Sequence, residues 1–466
     1  MRPTKLLTIL LITVFITTSG FGCKLASKEE QEASKPVELD FWAVFDESDA
    51  IEPLITAYRT RHPNVTINYK MYRYDEYKDK LLNALAEDRG PDIFAVHNSW
   101  IREYEAKILP LPPVLTIGYI ETKGGTLSQE TTITLEQEQS LTLRQLRDRF
   151  IEVVYDDVVV PVWNETEDAY EDKIMGLPLS VDTLALYYNR DILNAAGIAE
   201  PPVTWTAFQD QVKAITKLDK DGNIAQSAAA IGSSSNIERY SDILSILMMQ
   251  NGTEMTNESG FATFHKTPSA LAGREEPPGW GALRFYTDFA NPGKDVYTWN
   301  DGFNNSLDAF SAGETAFFFG YSYHLSQIKT KAPKLNFGIA RLPQLEGNPE
   351  INYANYWANA VSQKSEDYNY AWDFVQFMAE EDNVASYLET TKKPTALRAL
   401  QAEQLEDLDL SVFAAQILTA EDWYRGKDAG AMEQAFADLI DSHVYGTMEI
   451  KDAINLAASK VNQTVK

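Results

Sequence analysis

The sequence predicts an α/β protein of two lobes, each an open sheet with helices on both faces. Two observations carry that expectation. Strand and helix periods alternate from residue 37 onward, and a chain of 466 residues is too long for one hydrophobic core. Composition agrees, since 44% hydrophobic and 11% aromatic residues describe a folded globule rather than a disordered acidic chain.

The elements follow in order. Arg2 and Lys5 precede an apolar run from Leu6 to Phe15, then small residues Thr17 to Gly20, which is the order of a secretory leader over residues 1–22. The run is too short for a comfortable membrane span, which needs about 20 apolar residues. Cys23 is the sole cysteine, so no intrachain disulfide forms. Its place after Gly22 resembles the lipobox of bacterial lipoproteins, where the cysteine is acylated and becomes the first residue. Gly20 and Phe21 stand where that motif prefers Leu and a small residue. Residues 23–36 are polar and suit a tether.

VELDFWAV at 37–44 reads as a buried strand. Ile51, Leu54, Ile55 and Tyr58 recur at helical spacing, and His62-Pro63 stops that helix. Val65, Ile67, Tyr69 and Met71 alternate as a half-buried strand does. Tyr77, Leu81, Leu82 and Leu85 mark a second helix, broken at Gly90-Pro91, and DIFAVH at 92–97 is a central parallel strand. Residues 118–142, rich in Thr, Gln and Glu, read as an inserted surface hairpin. A second α/β unit starts near Met175. It contains a strand at 183–189, a helix capped by Thr204, helices at 241–250 and 303–312, a strand at 316–319, and a helix capped by Ser365.

The formal charge of −27 excludes nucleic acid and anionic lipid heads as partners, so membrane proximity must come from a lipid on Cys23. No phosphate-binding glycine loop and no H-E-x-x-H or G-x-S-x-G motif occurs. The five histidines lack metal spacing, and the Asp219–Asn223 run reads as a turn rather than a calcium loop. No cofactor, no metal and no catalytic residue are expected, and the chain is expected to be a monomer.

Five stretches then carry a family likeness: DFWAVFDESDAIEPLITAY, GPDIFAVHNSW, GLPLSVDTLALYYNRDIL, AFSAGETAFFFGYSYHL and NYWANAVSQKSEDYNYAWDFVQFM. In that order the chain resembles the bacterial solute-binding family that includes maltodextrin-binding proteins. The resemblance implies the periplasmic-binding-protein fold, two lobes joined by a hinge with a ligand cleft between them. It places lobe one at 37–182 with 358–395 and lobe two at 183–357 with 396–466. It also implies that lobe closure delivers a sugar or oligosaccharide to the permease subunits of an ABC importer, from the outer face of the cytoplasmic membrane.

Sugar sites combine aromatic faces with planar polar side chains at strand ends. On that ground the candidate ligand contacts are Trp42, Phe45 and Asp46 after the first strand, and Asn98, Ser99 and Trp100 after DIFAVH. Asp182 stands at the lobe crossing, where relatives use a carboxylate, and Ser235 and Asn236 lie in a polar loop. Tyr321 follows AFFFG, Tyr356 and Trp357 sit at the return crossing, and Trp299 and Trp423 lie in loops. His97, Trp372 and Phe374 are expected to be structural. Three other functions stay open on these residues: a glycoside hydrolase using Asp46 and Asp182, a binding protein for a non-sugar solute, and a polysaccharide adhesin.

Overall fold

The computed structural model describes residues 35–125 and 128–465. The leader, Cys23 and residues 24–34 of the expected tether lie outside them. Among the described residues no helix is long and apolar enough to cross a membrane.

The N-terminal alternation builds the first sheet. Val37–Val44 runs parallel to Val65–Tyr72 on one side and Ile93–His97 on the other. Ile93, Phe94 and Val96 are fully buried, each contributing about 1.5–3 kcal/mol of apolar burial. Two crossover helices cover this sheet: Ser48–Arg61, which buries Ile51, Leu54, Ile55 and Tyr58, and Tyr74–Ala86, which buries Tyr77, Leu81 and Leu85. Trp357–Val361 returns from the other lobe to pair antiparallel with Ile93–His97, and Leu177–Pro178 closes the edge.

The second sheet is mixed. Its order is Lys217–Leu218, Ile224–Ala229, Thr315–Gly320, Ala185–Asn189, Phe337–Ala340. Every residue of Thr315–Gly320 is buried, as its central place requires. Asp219 Oδ1 accepts from the backbone N–H groups of Asp221 and Asn223, so the calcium-like run is the turn that joins the first two strands.

A third sheet forms the hinge. Asp182–Thr183, Asn352–Asn355 and Ala420–Glu421 pair there, and the first two of these strands carry the chain between the two larger sheets. The single strand expected at 183–189 is therefore two. Leu184 leaves the ladder, its N–H donating to Tyr353 O, before Ala185 enters the lobe sheet. Thr204 caps its helix as expected, accepting from Ala207 N–H at 3.2 Å. Ser365 does not cap the helix Tyr368–Met378; its hydroxyl donates to Asp92 Oδ1 at 2.6 Å and ties the helix approach to the first sheet. Most of the 118–142 stretch lies in a hairpin of Val114–Gly125 and Ser128–Gln139, and Thr142 caps the helix that follows. This hairpin is docked through Thr116 N–H on Asn369 and Gly118 N–H on Tyr370.

Candidate functional site

Three parallel strands of the first sheet end on one cavity of about 300 Å³ between the lobes. Phe45 and Asp46 follow Val37–Val44, Tyr74 follows Val65–Tyr72, and Ser99 and Trp100 follow Ile93–His97, so all sit at carboxyl ends of strands. Trp357, the first residue of the returning strand, stands among them. The opposite wall is Asp182 from the hinge with Arg239, Ser322, Tyr323 and Glu433.

Trp357 is the hub of the aromatic wall. Its ring meets Phe45, Tyr74, Tyr77, His97 and Trp100 edge-on, at centroid distances of 6.0, 6.3, 6.0, 5.3 and 5.1 Å. Phe45 lies parallel to Tyr74 at 5.6 Å and to Tyr323 at 6.5 Å. The second contact crosses from one lobe to the other. Phe45 is 56% exposed and holds φ at 69°, a left-handed backbone that costs an L-residue about 1–2 kcal/mol. An exposed aromatic ring in a strained turn is a local cost that packing does not explain, and it aims the ring over the cavity mouth.

The polar groups are held as firmly. Asp182 Oδ2 accepts from the Ser322 N–H at 2.8 Å and hydroxyl at 2.6 Å, and Oδ1 from Thr183 N–H. Burial nevertheless pushes its carboxyl up to about 7, against those hydrogen bonds. Asp46 accepts from Lys393 and from Tyr387 OH. Arg239 grips Asp242 with Nε at 2.7 Å and a terminal nitrogen at 2.9 Å, and that nitrogen stands 3.5 Å from Glu433. His97 Nδ1 accepts from Ser99 N–H, so the neutral ring carries its proton on Nε2, 3.4 Å from Asn355 Oδ1. Burial, with Arg239 nearby, pulls that imidazole down to about 4.

Of the residues expected to contact ligand, Phe45, Asp46, Ser99, Trp100, Asp182, Tyr356 and Trp357 line the cavity. The others lie outside it. Trp42 packs on Tyr72 at 4.8 Å, because the strand's pleat turns it away. Asn98 is buried and donates to Asp157 and Asp422. Ser235 donates to Asp301. Asn236 knits its own loop, receiving Trp299 Nε1–H at 2.9 Å, while Trp299 stacks on Phe303. This loop opens at Gly232, whose φ of +116° and backbone contact with Ala290 exclude a side chain. Tyr321 is fully buried and donates to Asp242, two residues before the exposed Tyr323 that takes its place at the cavity. Trp423 packs in lobe two on Phe436 and donates to Ser245.

Tyr74, Arg239, Tyr323, Tyr387, Lys393 and Glu433 were not legible as site residues. Tyr74 obeys the strand-end rule and could have been found by it. Lys393 and Glu433 arrive from distal segments and carry no local signal.

Behind the cavity, the hinge holds a buried ion cluster. Arg425 reaches Asp157 at 2.6 Å and Asp422 at 3.4 Å, and Asn98 and the Tyr356 hydroxyl complete the carboxylates' partners. Desolvation raises the Asp157 carboxyl, and Arg425 opposes it.

These shifts set the pH response of stability. Asp182, raised to about 7, and Asp373, raised to about 6 by burial beside Tyr58, keep their protons to higher pH folded than unfolded. Their contribution is full below the unfolded carboxyl value of about 4 and is lost as pH rises through the folded values. The lowered His97 works the other way, so the carboxyl is read by difference: the Tm of wild type relative to Asp373→Asn should fall between about pH 5 and about pH 8. A relative Tm that rises over this window would contradict the assignment.

The model of the family described as bacterial extracellular solute-binding protein matches residues 53–409. The galactooligosaccharide-binding protein of Bacillus subtilis (strain 168) is 21% identical over 405 residues, 86% of this chain and 82% of the relative. The chain is also similar in fold to two solved structures. The cyclic alpha-maltosyl-1,6-maltose binding protein of Arthrobacter globiformis matches with a TM-score of 0.70 and 19% identity, over 92% of this chain and 99% of that one. The sugar-binding protein MalE of Xanthomonas citri matches with a TM-score of 0.67 and 17% identity, over 92% and 97%. With three strand ends and the hinge converging on one cavity, and with the family model spanning most of the folded chain, this protein belongs to the bacterial extracellular solute-binding family.

Proposed function

We propose that the chain is the extracytoplasmic substrate-binding component of an ABC importer and takes a sugar or oligosaccharide in the inter-lobe cleft. The observation that carries this reading is the wall of Trp100, Trp357, Phe45 and Tyr74 facing Tyr323 across the lobes, with Asp46 and Asp182 beside it. Aromatic faces of this kind cover the apolar faces of pyranose rings, and carboxylates accept their hydroxyls. Ser99, Asn355 and Asn359 add further polar groups to the lining. A cavity of about 300 Å³ is at the small end of ligand sites and suits a mono- or disaccharide with the lobes in this posture. The relatives named for galactooligosaccharide and cyclic maltosyl-maltose support the same ligand class.

Closure is proposed to turn on the chain crossings near residues 182, 357 and 395, with lobe one at 37–182 and 358–395 and lobe two at 183–357 and 396–466. A thermal-shift screen against a saccharide library is expected to show one group of related sugars raising the melting point, because a ligand specific to the native state stabilises it. A flat response to every saccharide would reject the sugar. The absence of enzymatic activity is part of the proposal, and it is supported by the match to a family of binding proteins and by the likeness to a galactooligosaccharide-binding relative.

Export and anchoring are proposed on the leader-like residues 1–22 and on Cys23. The membrane-extracted protein is expected to begin at an acylated Cys23 by intact mass, and a form retaining Met1 would reject the anchor.

A further inference from the structure

The cavity's charges are unevenly divided. Among the described residues, two cationic side chains line it, Arg239 and Lys393. Both are already paired with carboxylates. Arg239 gives Nε and one terminal nitrogen to Asp242, at 2.7 and 2.9 Å, and the same nitrogen stands 3.5 Å from Glu433. Lys393 is held by Asp46 and, at 3.2 Å, by Tyr387 OH. A further cation, Lys78, stands behind the Trp100 ring at 4.9 Å and pairs with Glu103 at 2.9 Å. His97 supplies no charge near neutral pH, since its ring is pulled down to about 4.

Against these stand Asp46, Asp182 and Glu433 on the lining and Asp242 directly behind Arg239. Setting Asp182 aside, because burial lifts it to about 7, Asp46, Asp242 and Glu433 face two cations; desolvation raises the Glu433 carboxyl too, and Arg239 beside it opposes that rise. A ligand carboxylate or phosphate would have to share Arg239 with Asp242 and Glu433, or Lys393 with Asp46. Sharing would bring a further negative charge against carboxylates in a desolvated site, where like charges repel strongly. The field of the whole chain, at −27, has the same sign.

A positive group meets the reverse. Glu433 Oε2 has no protein partner among the described residues, and the side chain, 38% exposed, is part of the cavity lining.

We propose that the cleft sorts saccharides by charge. It takes neutral and ammonium-bearing sugars and refuses those that carry a carboxylate or a phosphate, with Glu433 as the residue that sets the preference. This rests on the saccharide reading of the site. The two are separable, because the charge rule applies to any solute that enters.

Titration calorimetry near neutral pH tests it with matched probes: glucose, glucosamine, glucuronate and glucose 6-phosphate, the corresponding galactose set, and choline. For whichever core is bound, the amino sugar should bind at least as tightly as its neutral parent. The uronate and phosphate should bind at least about 30-fold more weakly, and Glu433→Gln should narrow that gap by about threefold or more. An anionic member that binds as tightly as its neutral parent overturns the charge rule while leaving the sugar reading standing. Choline bound with every sugar silent does the opposite, and silence of the whole panel counts against both. The wild-type comparison decides the matter even if the variant folds poorly.

Discussion

Replacing Arg425 with Met is expected to destabilise the folded chain by about 3–5 kcal/mol, the cost of leaving buried carboxylates without their counter-ion. Asp157 is wholly buried at its side chain and Asp422 nearly so, and both lean on this one guanidinium. They come from different parts of the chain. Asp157 lies in the last turn of the helix Glu152–Val158, and Asp422 follows the strand Ala420–Glu421. The damage should therefore appear as a loosened hinge as well as a lower melting point. Urea unfolding should show a midpoint well below wild type, and Tm should fall by about 5 °C or more. The triple variant with Asp157→Asn and Asp422→Asn should recover much of the loss, because it removes the uncompensated charge. Wild-type stability in Arg425→Met alone would mean that solvent reaches the cluster.

Trp357→Ala is expected to give the largest single loss of ligand affinity, about 30-fold or more. Central aromatic anchors cost about 2 kcal/mol or more when truncated, and each 1.4 kcal/mol is about tenfold. Trp357 touches five rings of the wall, so its removal also lets Phe45 and Trp100 drift from their places. Trp357→Phe keeps a ring and should retain most of the binding. Calorimetry with the saccharide that emerges from thermal screening reads both variants. Equal affinity in Trp357→Ala would move the ligand away from this wall.

The fold was legible where periodicity was strong. The strand at 37–44, the helix carrying Ile51 to Tyr58 and the DIFAVH strand form as read, because each buries one face or both against a covered sheet. The hinge was not legible. LPLSVDTLALYYN looks like one apolar strand, yet it serves two sheets, and no local pattern marks the break at Leu184. In the site, the strand-end rule brought Phe45, Asp46, Ser99 and Trp100 to the cavity. It failed for Asn98 and Trp42, since which way an individual side chain points depends on pleat and packing. Tyr321 and Tyr323 illustrate the same limit. Both are aromatic and follow one strand; the first is drawn inward by Asp242, and the second opens the helix Tyr323–Lys331 at the cavity. Distal charges such as Lys393 and Glu433 reach the site only through tertiary structure.

The charge rule and the aromatic wall depend on one claim, that the cavity between the lobes is where solute sits. A crystal structure of the chain grown with the saccharide that most raises its melting point tests this most directly. A sugar ring is expected in van der Waals contact, within about 4 Å, of Trp100 or Trp357, with hydroxyls on Asp46 or Asp182. A sugar bound elsewhere would contradict it, for example on the exposed Trp163–Tyr170 pair of the hairpin Val159–Asn164 and Ala169–Ile174, with the inter-lobe cavity empty.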